Sequence, residues 1–343
     1  GTLLSLVVPS ASSLAVILMA TLSPIMRAAG MSALTAGGVI ATTATIAPTP
    51  IGHDNIKAAE MLGFGTGVPE VSEYVFGHHA MISIPVIIFM GLVHYFWQKY
   101  MDKREGAAAN VEVDEDRLEK EKQAAMQDLP PSYYGIFPIL PLILIILFAL
   151  VPGLKTIKLS IVEITFFCFI LAFLVEVARK RNIPKMMKEA GIFFTGMCNC
   201  FSQVVVLIVA AGTMVAGLQA ISAISLISNA VQGSANAGTG LMLIFSGVTA
   251  LITFISGSGN AVFYSFIELI PPIADSAGVS AIMVALPMQL TSNLIRAVSP
   301  VSAVVIIVAS VMNVNPLRIV KRTCVPLILG FILTMIISVI RYS

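Results

Sequence analysis

Five residues, Ser256-Gly257-Ser258-Gly259-Asn260, place two hydroxyls, a carboxamide and two glycines inside apolar sequence. Their chemistry is donation: hydroxyl, amide and exposed backbone N–H groups can replace the water around an anion. A second cluster, Ser10, Ser12 and Ser13, follows Pro9. Asn293, Arg296, Ser299 and Ser302 fall within ten residues around Pro300, and Thr49 lies between Pro48 and Pro50. Arg296 sits between apolar segments, far from the basic loops, and ionisable residues inside a membrane usually mark function. His53 and Asp54 follow the Pro48–Pro50 break. They suit a proton relay, a cation ligand or a plain polar helix end.

Other chemistries find less support. Ser258 between two glycines suggests a serine nucleophile, which needs a base such as His. All four histidines lie between 53 and 94, and none follows Ser258. Cys198 and Cys200 form one C-x-C with no second pair, so a metal site is not indicated, and Cys168 and Cys324 stand singly. Gly63-Phe64-Gly65-Thr66-Gly67 reads as a turn, because no strand precedes it. His78 and His79 read as a surface loop. No cofactor is implied beyond a coupling ion, sodium or proton.

The elements that must carry these residues are apolar helices. The chain is 57% hydrophobic and 11% charged, with mean hydropathy +0.94. Soluble domains carry about 25% charged residues. Apolar runs long enough to cross a bilayer are expected near 80–98, 133–152, 158–178, 192–217 and 323–341. The stretch 99–132 is too charged to enter lipid and reads as a cytoplasmic linker, with a short helix at 115–122. It separates two units, 1–98 and 133–343. No basic stripe suggests nucleic acid. Gly1-Thr-Leu-Leu begins as the middle of an apolar segment rather than as a signal peptide, so residues are expected to precede it.

Regions 9–62 and 238–312 are apolar but broken by Ser, Gly, Asn and Pro. Such breaks survive in lipid only where buried in protein or lining a wet cavity. They align at an offset of 248: Ser10 with Ser258, Pro24 with Pro272, Gly30 with Gly278, Ser32 with Ser280, Thr43 with Thr291. Paired broken segments in two halves point to a transporter binding site. Taking each Ser-rich cluster as the tip of a re-entrant hairpin, the count of crossings makes the two hairpins open to opposite faces. One face then holds 15 of the 20 Lys and Arg residues, which makes it the cytoplasm. The expected fold is an all-α membrane protein: an inverted-repeat secondary transporter with two re-entrant hairpins and two broken helices, its first repeat incomplete at the N-terminus.

Four stretches resemble the DcuC family of anaerobic four-carbon dicarboxylate carriers, within the wider ion-transporter superfamily. They are Ser256 to Tyr264, Ser292 to Ser302, Val320 to Pro326, and Phe96-Trp97-Gln98-Lys99-Tyr100. The resemblance implies a multi-pass protein of the bacterial inner membrane, a homodimer with a scaffold and a moving unit, and fumarate–succinate exchange or succinate efflux. It also implies about 115 residues before Gly1, since 133 − 248 = −115. Ser10, Ser12 and Ser13 would then face one carboxylate and Ser256, Ser258 and Asn260 the other, with Thr49, Asn293, Arg296 and Ser299 beside them. His53, Asp54 and Ser302 would serve a coupling ion. Carriers of citrate, gluconate or amino acids are the alternatives, and an intramembrane hydrolase a more distant one.

Overall fold

The computed structural model describes residues 1–109, 131–151, 153, 159–181, 183–201, 205–222 and 237–342. The possible helix at 115–122 lies outside them. Among the described residues every named element is helical, and one isolated bridge joins Gly67 to Ser160. A single turn, α1 (Thr2–Ser5), precedes α2 (Ala11–Ala28), α3 (Ala33–Thr42) and α4 (His53–Met61). Next, α5 (Val68–Tyr74) passes through a π-helical segment, Val75–His79, into α6 (Ala80–Glu105). The chain continues with α7 (Leu140–Leu150), α8 (Ile161–Lys180), α9 (Ile183–Cys200), α10 (Val206–Ala220) and α11 (Ala237–Ser256). Then come α12 (Gly259–Ile267), α13 (Ile270–Ala277), α14 (Ala281–Arg296), α15 (Ala303–Val311) and α16 (Pro316–Tyr342).

Five helical stretches among the described residues are long and apolar enough to cross a membrane, the longest being Val68–Glu105 with 38 residues. Helix α6 shows why they belong in lipid. Ile82, Val86, Met90, His94 and Gln98 recur every fourth residue and are buried. Ile84, Ile88 and Leu92 form another stripe and are about half exposed or more. A helix with an exposed apolar face of this kind needs lipid against it. The buried stripe packs on α16, where Gly330 leaves room for Met90 and Val86.

Some bounds differ from expectation. The helix expected at 80–98 begins at Val68, because no Gly–Pro turn separates His78-His79 from the apolar run. Among the described residues the span expected at 192–217 is covered by α9 and α10, and the first of these begins earlier, at Ile183. The last helix starts at Pro316, where Asn315 Oδ1 accepts the Leu317 N–H at 2.9 Å. Proline at a first helical position and a capping Asn are ordinary start signals, masked here by the basic residues that follow.

The two broken regions keep the same register in three dimensions. Ser10 and Ser258 cap α2 and α12, and each hydroxyl accepts the backbone N–H three residues on. Ser32 and Ser280 precede α3 and α14. Gly30 and Gly278, each 20 residues beyond its cap, both turn with positive φ, +89° and +68°. Contacts are exchanged between halves as well: α2 packs on α15, and its counterpart α12 packs on α4. One difference follows from proline count. The single Pro24 is carried within α2, whereas Pro271 and Pro272 start a new helix, α13.

Candidate functional site

Two interruptions in helices meet at one place. The first, between α3 and α4, spans Thr43 to Gly52. Its backbone is satisfied by side chains: Thr49 Oγ1 donates to the Leu6 carbonyl at 2.7 Å, and Asn55 Nδ2 donates to the Thr49 carbonyl at 2.9 Å. The second lies between Arg296 and Ala303, where Thr323 Oγ1 of α16 donates to the Ala297 carbonyl at 2.7 Å. In both, irregular backbone finds hydrogen-bond partners inside the protein.

Side chains from the two interruptions bond to each other. Asp54 Oδ2, at the start of α4, accepts from Asn293 Nδ2 at 2.8 Å and Gln289 Nε2 at 3.2 Å, both on α14. Gln289 also donates to Asn55 Oδ1 at 2.7 Å and accepts from the Tyr74 hydroxyl at 2.5 Å. Asn260, in the first turn of α12, meets His53 Nε2 at 3.0 Å. Arg296 donates through Nη2 to the Ala44 carbonyl at 3.1 Å. Its Nε is buried and has no hydrogen-bond partner among the described residues. Lower on the same pair of helices, Lys57 of α4 pairs with Glu268 beyond α12 at 3.2 Å.

These groups line a small cavity of about 30 Å³, with Pro9, Thr49, His53, Asp54, His79, Asn260, Asn293 and Arg296 among its walls. That is room for about one water molecule.

The sequence-derived candidates divide into two groups. Thr49, His53, Asp54, Asn260, Asn293 and Arg296 converge on the cavity. Ser10, Ser12, Ser13, Ser256, Ser258, Ser299 and Ser302 are not in its lining. Ser10 and Ser258 serve as caps, and Ser10 also donates to Ser13 Oγ at 2.9 Å. Ser256 Oγ accepts the Ser258 N–H, Ser302 caps α15, and Ser299 Oγ is buried without a partner among the described residues. Ser12 is half-buried on α2. The first turn reaches the cavity instead through Pro9 and Ser5.

Two neighbours of the cavity and one buried charge apart from it escaped sequence reading. Gln289 stands four and seven residues before Asn293 and Arg296, so the three share one face of α14, and that spacing was readable. His79, expected in a surface loop, is 1% exposed and lines the cavity. The turn that would have placed it outside does not exist, since α5 runs on into α6. Arg322, expected among solvated basic residues, is fully buried. It pairs with Asp102 at 2.6 Å and Glu105 at 2.9 Å.

The DcuC family model, described as a C4-dicarboxylate anaerobic carrier, matches residues 1–343. The chain belongs to the DcuC family. Among its DcuC relatives is the anaerobic C4-dicarboxylate transporter DcuC of Escherichia coli strain K12. The two are 34% identical over 334 residues, or 97% of this chain and 69% of the relative. The probable anaerobic C4-dicarboxylate transporter DcuC of Vibrio cholerae serotype O1 is 36% identical over 337 residues, covering 97% and 70%. No solved structure matches. A DcuC chain is a transporter and not an enzyme. The helical fold and apolar exposed faces agree with that.

Proposed function

We propose that this protein carries four-carbon dicarboxylates across the bacterial inner membrane by alternating access, with the cavity at the two interruptions as its binding site. The observation that carries the reading is Arg296. A buried guanidinium N–H without a partner is costly unless a ligand supplies an acceptor. A carboxylate is the natural one, since it accepts a bidentate pair from Arg. Asn260 and Asn293 add amide donors, and the α12 N-terminus adds backbone N–H groups. The matching caps, glycine turns and exchanged contacts at an offset of 248 support an inverted repeat with two re-entrant turns. In that arrangement the site lies near the bilayer midplane, accessible to each side in turn.

At about 30 Å³ the cavity is closed to a four-carbon dianion. Opening requires the bonds that now cross it, Asn260 to His53 and Arg296 to Ala44, to yield to substrate carboxylates. Asn260→Ala is therefore expected to raise the half-saturation concentration about tenfold, for about 1–3 kcal/mol of lost pairing. Arg296→Lys keeps the charge and loses the bidentate fork. It should weaken uptake at least as much while the protein still inserts.

The deciding experiment is counterflow in proteoliposomes with succinate, fumarate, malate, citrate, gluconate and aspartate. Saturable counterflow restricted to succinate, fumarate and malate is the expected result. Preference for citrate or gluconate would reassign the substrate. Wild-type uptake by Arg296→Lys would remove Arg296 from the site.

A further inference from the structure

His79 reaches the cavity from a third direction. It ends the π-helical segment Val75–His79, a type of distortion that recurs at functional sites. The ring is 1% exposed. Its Nδ1 pairs with Ser83 Oγ at 3.1 Å, while Nε2 has no hydrogen-bond partner among the described residues.

The groups facing it can be named. Asp54 and His53 of α4 and Arg296 of α14 line the same cavity. Tyr74, on the helix before it, is held by Gln289. Tyr342 and Arg341 of α16 are engaged by the neighbouring His78 and by the Gly77 carbonyl.

Charge arithmetic at this cavity is incomplete for a dianion. Arg296 contributes one positive charge and Asp54 one negative, which cancel. Two further negative charges would enter a space with little water, where uncompensated charge is expensive. The remaining titratable residues in the lining are His53 and His79. His53 is exposed, so water rather than the cavity answers a charge there, whereas His79 is buried.

We propose that His79 takes up one proton as the dianion binds, so that a proton crosses the membrane with the substrate. This rests on the cavity being the dicarboxylate site. The proton comes from water and forms an N–H bond at the imidazole. Both ring nitrogens are then donors, one toward Ser83 Oγ and the other toward a substrate carboxylate. When the substrate leaves on the far side the imidazolium loses its partner and returns the proton to water.

The test is calorimetry of fumarate binding to the purified protein at pH 7 in buffers of different ionisation enthalpy. Fumarate keeps both carboxyls ionised there, so protons taken up are taken up by protein. Wild type should gain about one proton per fumarate bound. His79→Gln should gain none, and its affinity should no longer rise as pH falls from about 8 to 6. His53→Gln should keep the proton count. The wild-type measurement needs no variant to fold. Fumarate binding by wild type without proton uptake would overturn the proposal, and so would an unchanged count in His79→Gln. If wild type binds no four-carbon diacid, the substrate assignment fails first and this inference with it.

Discussion

Gly259→Ala should slow transport at least severalfold. A Cβ built on Gly259 would lie 2.1 Å from the Ser292 carbonyl oxygen and 2.8 Å from its carbon. Both are backbone atoms of α14, so no rotamer can relieve the clash. The turn before α12 must withdraw from α14, and Asn260, the next residue, withdraws with it. Overpacking of this kind costs about 1–3 kcal/mol, sometimes more, or roughly 5- to 150-fold in an equilibrium. Gly257 is under the same constraint, with φ +71° and the Val301–Ser302 backbone 2.8 Å from its ideal Cβ position. Gly91, Gly240 and Gly247 have open space at that position and serve as controls, since alanine there should be tolerated. Transport rates would be measured in proteoliposomes at matched protein insertion. A Gly259→Ala rate within twofold of wild type would mean that the close approach of α12 to α14 is irrelevant to transport.

The largest stability effect is expected at Arg322, and it should be asymmetric. The guanidinium is fully buried among α3, α6 and α16, whereas Asp102 and Glu105 keep 33% and 21% of their side chains exposed. It also donates to Thr35 Oγ1 and Gln98 Oε1, each at 3.2 Å. Ser32 and Thr35 in turn donate to Asp102, at 2.7 and 2.9 Å. Replacing both carboxylates, as in Asp102→Asn with Glu105→Gln, strands a buried cation and should cost about 3–5 kcal/mol. Arg322→Met removes the cation but leaves carboxylates that still touch water, so about 1–3 kcal/mol is expected. Gly38 belongs to the same seam, because a Cβ there would meet Arg322 Cβ at 2.7 Å. Thermal unfolding in detergent would report the order. If Arg322→Met proved the more damaging, the carboxylates rather than the cation would be the groups that need compensation.

Much of this was legible in the sequence, for a reason particular to membranes. Lipid forbids unpaired backbone, so every Pro, Gly or Ser break inside an apolar run must have structural meaning. Hence Ser10, Ser258, Gly30 and Gly278 could be placed in register from residue types alone. Arg296 stood out because charge at that depth is rare. What stayed hidden depended on rotation about helix axes. Gln289 is a single polar residue within α14, and only its pairing with Asp54 gives it meaning. His79 looked exposed because two histidines together resemble a polar loop, yet one turn of π-helix aims it inward. Arg322 shares a segment with Arg318 and Lys321, and sequence cannot say which of three basic residues points into the protein. The serine clusters show the converse. Ser10 and Ser258, expected to meet substrate, cap helices, a use that is equally consistent with Ser before an apolar run.

The pairing across halves also sets a schedule for making the protein. Asp54 finds its partners in Gln289 and Asn293, 235 and 239 residues further on, and His53 meets Asn260 207 residues later. At about 5–20 residues per second, a ribosome takes roughly 10–50 s to deliver them. Throughout that interval the newly inserted first half holds a carboxylate and an imidazole with no final companions. Until α14 is made the Asp54 carboxylate must be held by water or by other donors. The final packing of α4 is then a late event, timed by translation of the second half.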